Sequence, residues 1–436
     1  MQFEANQNGL SQSLYWVFPL AVIAYCSAGY ITTSLLQPEG TAYPVVASYG
    51  RFVPRFIHNL VYLLRATQNS EYGYTKFRGK AFQLLRNEGT VLLLPLSLLE
   101  ELSKLPEDVA SPTLALERDL VGDFTGLNLI VENRLHHTIV LAGEVIVGPS
   151  FCTNQVWLDI SFKYTENLFV TIAILRLFPQ WMHPIIYNLD DINILHWLCG
   201  VAKGNDRRPN TISHVLVLVA LASVHTTLFR MVNVLYDVTA AGQGLREEII
   251  AEIASTAAEK WTGVPYDKLY RLDSVMRESQ RLSPPTTLGM KRFFKKSYTF
   301  RDGTFIPAGT YACMPTYAIE TDAKYTPNPD RFDGLRHFRI LDQRQQAGDP
   351  DAAKELLFST PAKTNLSFGF GKAACPRRLF ASCVVKIVLV KLLTDYEFSF
   401  LPGTERPRDF KVYEFLFVAP RQTMLVRRKK EGTCPF

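Results

Sequence analysis

From Ala5 to Gln37 no charged residue interrupts the chain, and within that window Leu14 to Leu36 supplies 23 mostly apolar positions. A helix that crosses the hydrocarbon of a bilayer needs about 20 such residues. Tyr15, Trp16 and Tyr30 stand near the ends of the stretch, where amphipathic rings favour the interface, and Pro19 is tolerable in a membrane helix. No Lys or Arg precedes the run, which argues against a cleaved signal; a buried core helix is the other alternative. The pattern therefore predicts a membrane anchor over residues 1–37. Arg51 and Arg55 are the first basic residues beyond it and place residues 38–436 on the cytosolic side.

Past the anchor the pattern predicts a helix over Pro54 to Thr67, a strand over Gly79 to Asn87, an apolar run at Val91 to Leu94 and a helix over Ser97 to Leu105. Leu114 to Asn205 is apolar and aromatic with little punctuation, and reads as helical. Ile212 to Leu235 is nearly uncharged and too apolar all round to lie on a surface, so it is expected at the centre of the fold. Helical spacing continues over Leu245 to Lys260 and Pro265 to Leu282. Two strand-like pieces, Tyr298 to Phe300 and Thr304 to Ile306, flank an Asp302-Gly303 turn. A Pro-rich coil follows, then a last amphipathic helix over Leu379 to Leu393 and short strands to Val426. The expected fold is mainly α with a small β region.

Composition narrows the function. The 436 residues are 47% hydrophobic and carry a net charge of only +6, with Lys and Arg scattered, so a disordered chain and a dedicated nucleic-acid binder are both disfavoured. Seven cysteines form no CxxC pair and no disulfide framework, and read as thiols in a reducing compartment. One large domain behind the anchor is the simplest organisation, since no linker or repeat divides the chain.

Candidate chemistry gathers in the last third. Phe368-Gly369-Phe370-Gly371-Lys372-Ala373-Ala374-Cys375 delivers a cysteine to the start of a helix through two glycines that permit tight turns. Backbone N–H groups at a helix start stabilise a thiolate, which suits soft metal ligation. An isolated cysteine there is usually only a small buried side chain. Upstream, Glu278 and Arg281 lie three apart on one helical face, a spacing that by itself marks an ordinary ion pair. Arg331, in Pro329-Asp330-Arg331-Phe332, is expected to join that pair and pin the coil to the helix. His225-Thr226-Thr227 sits in the apolar central helix, where Thr hydroxyls that bond back to the preceding turn loosen the helix.

In their order and spacing these elements resemble the signature set of the cytochrome P450 superfamily of haem-thiolate monooxygenases. The finer resemblance is to fungal membrane-bound members of specialised metabolism, on His225-Thr226-Thr227, Arg277 to Arg281 and Asp302 to Pro307. The resemblance implies heme b with Cys375 as the iron ligand, Phe368 and Gly371 shaping the cofactor loop, and Glu278, Arg281 and Arg331 as a structural network behind it. It implies oxygen activation and proton delivery at Thr226, with His225 where many relatives place an acid, and Arg292 as partner of a haem propionate. Lys372, Arg377 and Arg378 would form a basic face that steers an acidic electron-transfer partner.

The implied activity is insertion of one oxygen atom from O₂ into a lipophilic small molecule, a terpenoid, meroterpenoid or polyketide intermediate. The electrons would come from NADPH through NADPH-cytochrome P450 reductase, with the chain anchored as a single pass in the endoplasmic reticulum membrane. The pattern departs from the family at Ala373, where His or Arg is common, and at Arg377, where Gly is usual. The stretches Asn128 to Gly148 and Leu189 to Lys203 look compressed. A haem-binding relative without oxygenase activity and a haem-free membrane-tethered scaffold stand as alternatives.

Overall fold

A computed structural model describes residues 23–24, 27, 43–47, 55–86, 89–121, 226–258, 265–419, 422–429 and 434. Most of the expected anchor lies outside the described residues; Ile23, Ala24 and Ser27 within it are helical and exposed. Among the described residues no helix is long and apolar enough to cross a membrane.

Helix α1 (Arg55–Lys76) runs past the predicted end at Thr67, burying Tyr62, Ala66 and Thr67. Strand β1 (Val45–Val46) precedes it, and β2 (Phe82–Arg86), β3 (Gly89–Leu93), α2 (Leu99–Lys104), β4 (Ala110–Ser111) and α3 (Pro112–Asp119) follow. Ser111 caps α3 by accepting the Leu114 amide, and Pro112 opens it, where a missing N–H costs nothing.

The second half is helical at first: α4 (Thr226–Ala241), α5 (Gln243–Ala258) and α6 (Tyr270–Leu282). Gly242, at φ +91°, ends α4 in the left-handed conformation and lets α5 restart at once. Then come β5 (Gly289–Phe294), the β6–β7 hairpin (Tyr298–Thr299, Phe305–Ile306), β8 (Tyr311–Met314), α7 (Thr316–Glu320), α8 (Arg336–Gln346) and α9 (Ala352–Leu356). Helix α10 (Arg378–Asp395) leads into β9 (Tyr396–Phe400), β10 (Phe410–Val412), β11 (Phe415–Phe417) and β12 (Met424–Arg428).

The hairpin forms as its Asp302-Gly303 turn predicts: Gly303 takes φ +88° and the Phe300 amide donates to the Thr304 carbonyl at 2.9 Å. The expected Pro-rich coil is corrected in part, for it holds β8, α7, α8 and α9. Strand β8 is central in a six-stranded sheet ordered β1-β2-β3-β8-β5-β4, parallel to β3 and antiparallel to β5. All four of its residues are buried, so it lacks the polar alternation by which a half-buried strand is recognised.

Two cores flank the cysteine loop. On the sheet side Leu92, Leu98, Leu102, Phe294, Ile319 and Leu366 pack together. On the helix side α4, α5, α6 and α10 bury Val234, Ile253, Val275, Met276, Val385 and Leu389. Each such side chain contributes roughly 1.5–3 kcal/mol of burial.

Candidate active site

Helix α6 is buried without interruption from Leu272 to Arg281, so its charged residues must be paired. Glu278, fully buried, accepts from Arg281 twice, Nε to Oε2 at 2.9 Å and Nη2 to Oε1 at 2.8 Å. This bidentate geometry is what the three-residue spacing on α6 makes possible. Arg281 also donates to the Pro329 carbonyl at 2.6 Å and so grips the following coil.

The third member of the network is Arg336, not Arg331. Arg336 Nε donates to Glu278 Oε1 at 3.2 Å, Nη1 to the Pro327 carbonyl at 2.5 Å, and Nη2 to the Asn328 and Arg331 carbonyls. Arg331 itself is exposed and contributes its backbone oxygen. The coil from Pro327 to Arg331 folds back so that its carbonyls meet Arg336, the first residue of α8, beside the carboxylate. His337 Nε2 stands 3.7 Å from Glu278 Oε2, beyond hydrogen-bonding distance. Burial and the neighbouring Arg277, Arg336 and Arg281 hold the imidazole well below its ordinary pKa, and hence neutral.

A second buried pair ties α6 to α10: Lys386 Nζ donates to Asp273 Oδ2 at 2.5 Å and to the Tyr266 carbonyl at 2.7 Å. Burial pushes the Asp273 carboxyl up, and Lys386 opposes it. The helix that carries the cysteine loop is thereby locked to the helix of the Glu278 network.

The cysteine loop is closed by its own backbone. The Cys375 amide donates to the Phe368 carbonyl at 2.7 Å, and the Gly369 amide to the Leu366 carbonyl at 2.7 Å. Gly369 at φ +78° and Gly371 at φ +63° adopt left-handed conformations that favour glycine. A Cβ on Gly369 would lie 2.8 Å from the Ala373 carbonyl oxygen, and one on Gly371 3.1 Å from Ser103 of α2. Phe368 packs with the helix-side core, edge-on to Phe358 at 5.1 Å, whereas Phe370 packs with the sheet-side core. The loop is thus a seam between the two cores, with Cys375 partly exposed just ahead of α10.

Arg377 takes φ −101°, a conformation open to any residue, so its bulk strains no backbone. Arg378 Nη1 donates to the Cys375 carbonyl at 2.9 Å, so this member of the expected basic face also ties the loop to the helix. Lys372 is exposed and Arg377 half-buried.

Arg292 lies buried on β5, its Nη1 donating to the Lys291 carbonyl at 2.8 Å. Burial pulls its pKa down to about 10, against the pull of Glu107. Among the described residues it makes no ion pair, leaving N–H donors for an anionic ligand. Thr226 is exposed and opens the described part of α4. His225 lies outside the described residues. A soft sulfur at the end of a closed loop and a buried guanidinium with donors to spare fit an iron porphyrin bearing carboxylates.

The sequence reading missed Arg336, whose signal is an arginine three residues after Asp333, and Glu320 of α7. Glu320 is buried and its Oε1 accepts the Leu366 amide at 2.6 Å.

Residues 201–426, more than half of the chain, match the Cytochrome P450 family. The chain is 28% identical to a cytochrome P450 monooxygenase of Emericella nidulans, over 94% of this chain and 92% of that one. It is 26% identical to an ent-kaurene oxidase of Fusarium fujikuroi, over 95% and 93% of the two chains, and 26% identical to the cytochrome P450 monooxygenase olcJ of Penicillium canescens, over 96% and 94%. The first alignment runs over 500 positions, more than the 436 residues of this chain, so stretches of that relative have no counterpart in it. The chain belongs to the cytochrome P450 family.

Proposed function

We propose that this chain is a haem-thiolate monooxygenase of fungal specialised metabolism, with Cys375 as the iron ligand. The observation that carries the reading is the backbone closure of the loop, Cys375 amide to Phe368 carbonyl at 2.7 Å, directly ahead of α10. When bound, the haem iron supplies oxygen activation, and thiolate ligation favours O–O cleavage.

The chain's own part is ligation, orientation and proton control. The Cys375 sulfur stands on a loop whose glycine turns and flanking aromatic rings leave it little freedom. Arg292 would receive a propionate carboxylate, offsetting the penalty of its own burial. Phe368 and Gly371 shape the loop around the sulfur, and Thr226, on α4, together with His225 would deliver protons. The network of Glu278, Arg281 and Arg336 holds the coil behind the loop.

The substrate class is a lipophilic terpenoid, meroterpenoid or polyketide intermediate, a reading supported by fungal relatives such as the ent-kaurene oxidase. Electrons come from NADPH through NADPH-cytochrome P450 reductase, which would dock at the face of Lys372 and Arg377. The uncharged stretch Leu14 to Leu36 anchors the chain in the endoplasmic reticulum membrane as a single pass, with the catalytic part cytosolic.

The test is turnover with the reductase, NADPH and isotopically labelled O₂ against a panel of such intermediates. One labelled oxygen atom in product, with substrate-dependent NADPH use, is expected. A haem-loaded protein that yields no product and no substrate-dependent NADPH use contradicts the reading.

A further inference from the structure

Glu320 ends α7 with its side chain buried, yet among the described residues it forms no ion pair. Its Oε1 instead accepts the Leu366 amide at 2.6 Å, across 46 residues of sequence. Its own carbonyl accepts the Thr326 hydroxyl at 3.1 Å, which fixes the end of the helix. A carboxylate taken out of water for one backbone donor is an expensive arrangement unless that donor must be held in place.

What Glu320 holds is the root of the cysteine loop. Leu366 is anchored in the sheet-side core, and its carbonyl accepts the Gly369 amide at 2.7 Å. Gly369 begins the left-handed turn after which the Cys375 amide returns to the Phe368 carbonyl. The hydrogen bond to Glu320 lies two residues ahead of Phe368, where the chain leaves the core. Arg277 and Arg281 of α6 and Arg230 of α4 are the charged groups whose fields reach the carboxyl.

We propose that Glu320 is a positioning residue for the thiolate loop: by holding the Leu366 amide it fixes the point from which the loop presents the Cys375 sulfur to haem. The inference rests on Cys375 as the ligand. What the geometry demands is an acceptor oxygen at the reach of a glutamate side chain, with or without its charge.

Two variants of the full-length, haem-loaded protein separate reach from charge. Glu320→Gln keeps an oxygen at the same reach and removes the charge, whereas Glu320→Asp keeps the charge and withdraws the oxygen by one methylene. The readouts are the decay of the ferrous carbon monoxide band at about 450 nm, which reports thiolate ligation, and amide hydrogen exchange over residues 366–371. Glu320→Gln should keep the band and protect the Leu366 and Gly369 amides at least as well as the wild type, while Glu320→Asp should lose the band and exchange those amides about fivefold faster, as loss of one hydrogen bond predicts. Wild-type behaviour of Glu320→Asp, or equal impairment of both variants, overturns the inference alone. Absence of the band from the wild type overturns the role of Cys375 and this inference with it.

Discussion

The Cys375 amide and the Phe368 carbonyl lie 2.7 Å apart, and this bond folds the intervening residues into a closed loop at the head of α10. The bond is possible because Gly369 turns the chain at φ +78° between two aromatic rings committed to different cores. Sequence, packing and proposed ligation meet there.

Gly369→Ala tests that turn. Its Cβ would lie 2.8 Å from the Ala373 carbonyl oxygen at a φ that L-residues rarely adopt, so a loss of roughly 1–3 kcal/mol is expected. Gly303→Ala shares the left-handed φ but meets open space, and should cost about 1 kcal/mol. Thermal unfolding with the carbon monoxide spectrum checks both: Gly369→Ala should weaken the thiolate band, and Gly303→Ala should leave it unchanged.

The network behind the loop makes a sharper distinction. Arg336→Ala removes the guanidinium that joins buried Glu278 to three coil carbonyls, and Glu278→Ala strands two arginines; breaking such a buried pair costs about 3–5 kcal/mol. Arg331→Ala alters only an exposed side chain and should stay within about 0.5 kcal/mol of the wild type. Denaturant unfolding of the three variants decides this, and an Arg331→Ala protein as unstable as Arg336→Ala would restore Arg331 to the network.

That contrast shows how far the sequence could be read. The Glu278–Arg281 spacing, the Asp302-Gly303 hairpin and the glycines before Cys375 are local patterns, and the structure places them as those patterns demand. The choice between Arg331 and Arg336 depends on how the coil folds back onto α6, a long-range contact with no periodicity to betray it. Strand β8 was hidden because a strand buried on both faces shows no alternation, and Glu320 because its partner is a backbone amide 46 positions away. The roles expected of Thr226 and Arg292 rest on the family resemblance; the local pattern predicts a loosened apolar helix around Thr226 and does not predict the strand that carries Arg292.

Glu320 also predicts a pH dependence of stability. Burial raises its pKa from 4.5 to about 7, partly opposed by the Leu366 amide and the neighbouring arginines. The unfolded chain therefore releases this proton first as pH rises, and the stabilisation present below about pH 4.5 is lost as pH climbs through about 7. Glu320→Gln has no such proton to lose. Its stability relative to the wild type should increase between pH 5 and 8, by up to roughly 3 kcal/mol. Denaturant midpoints at several pH values check this, and parallel profiles for the two proteins would contradict it.

The most direct test of the account is the ferrous carbon monoxide spectrum of the purified wild type beside Cys375→Ala. The wild type should show a Soret band at about 450 nm and the variant should lack it, because only a thiolate ligand places the band there. A colourless wild type from porphyrin-supplied cells, or a variant that keeps the band, would contradict the assignment of Cys375.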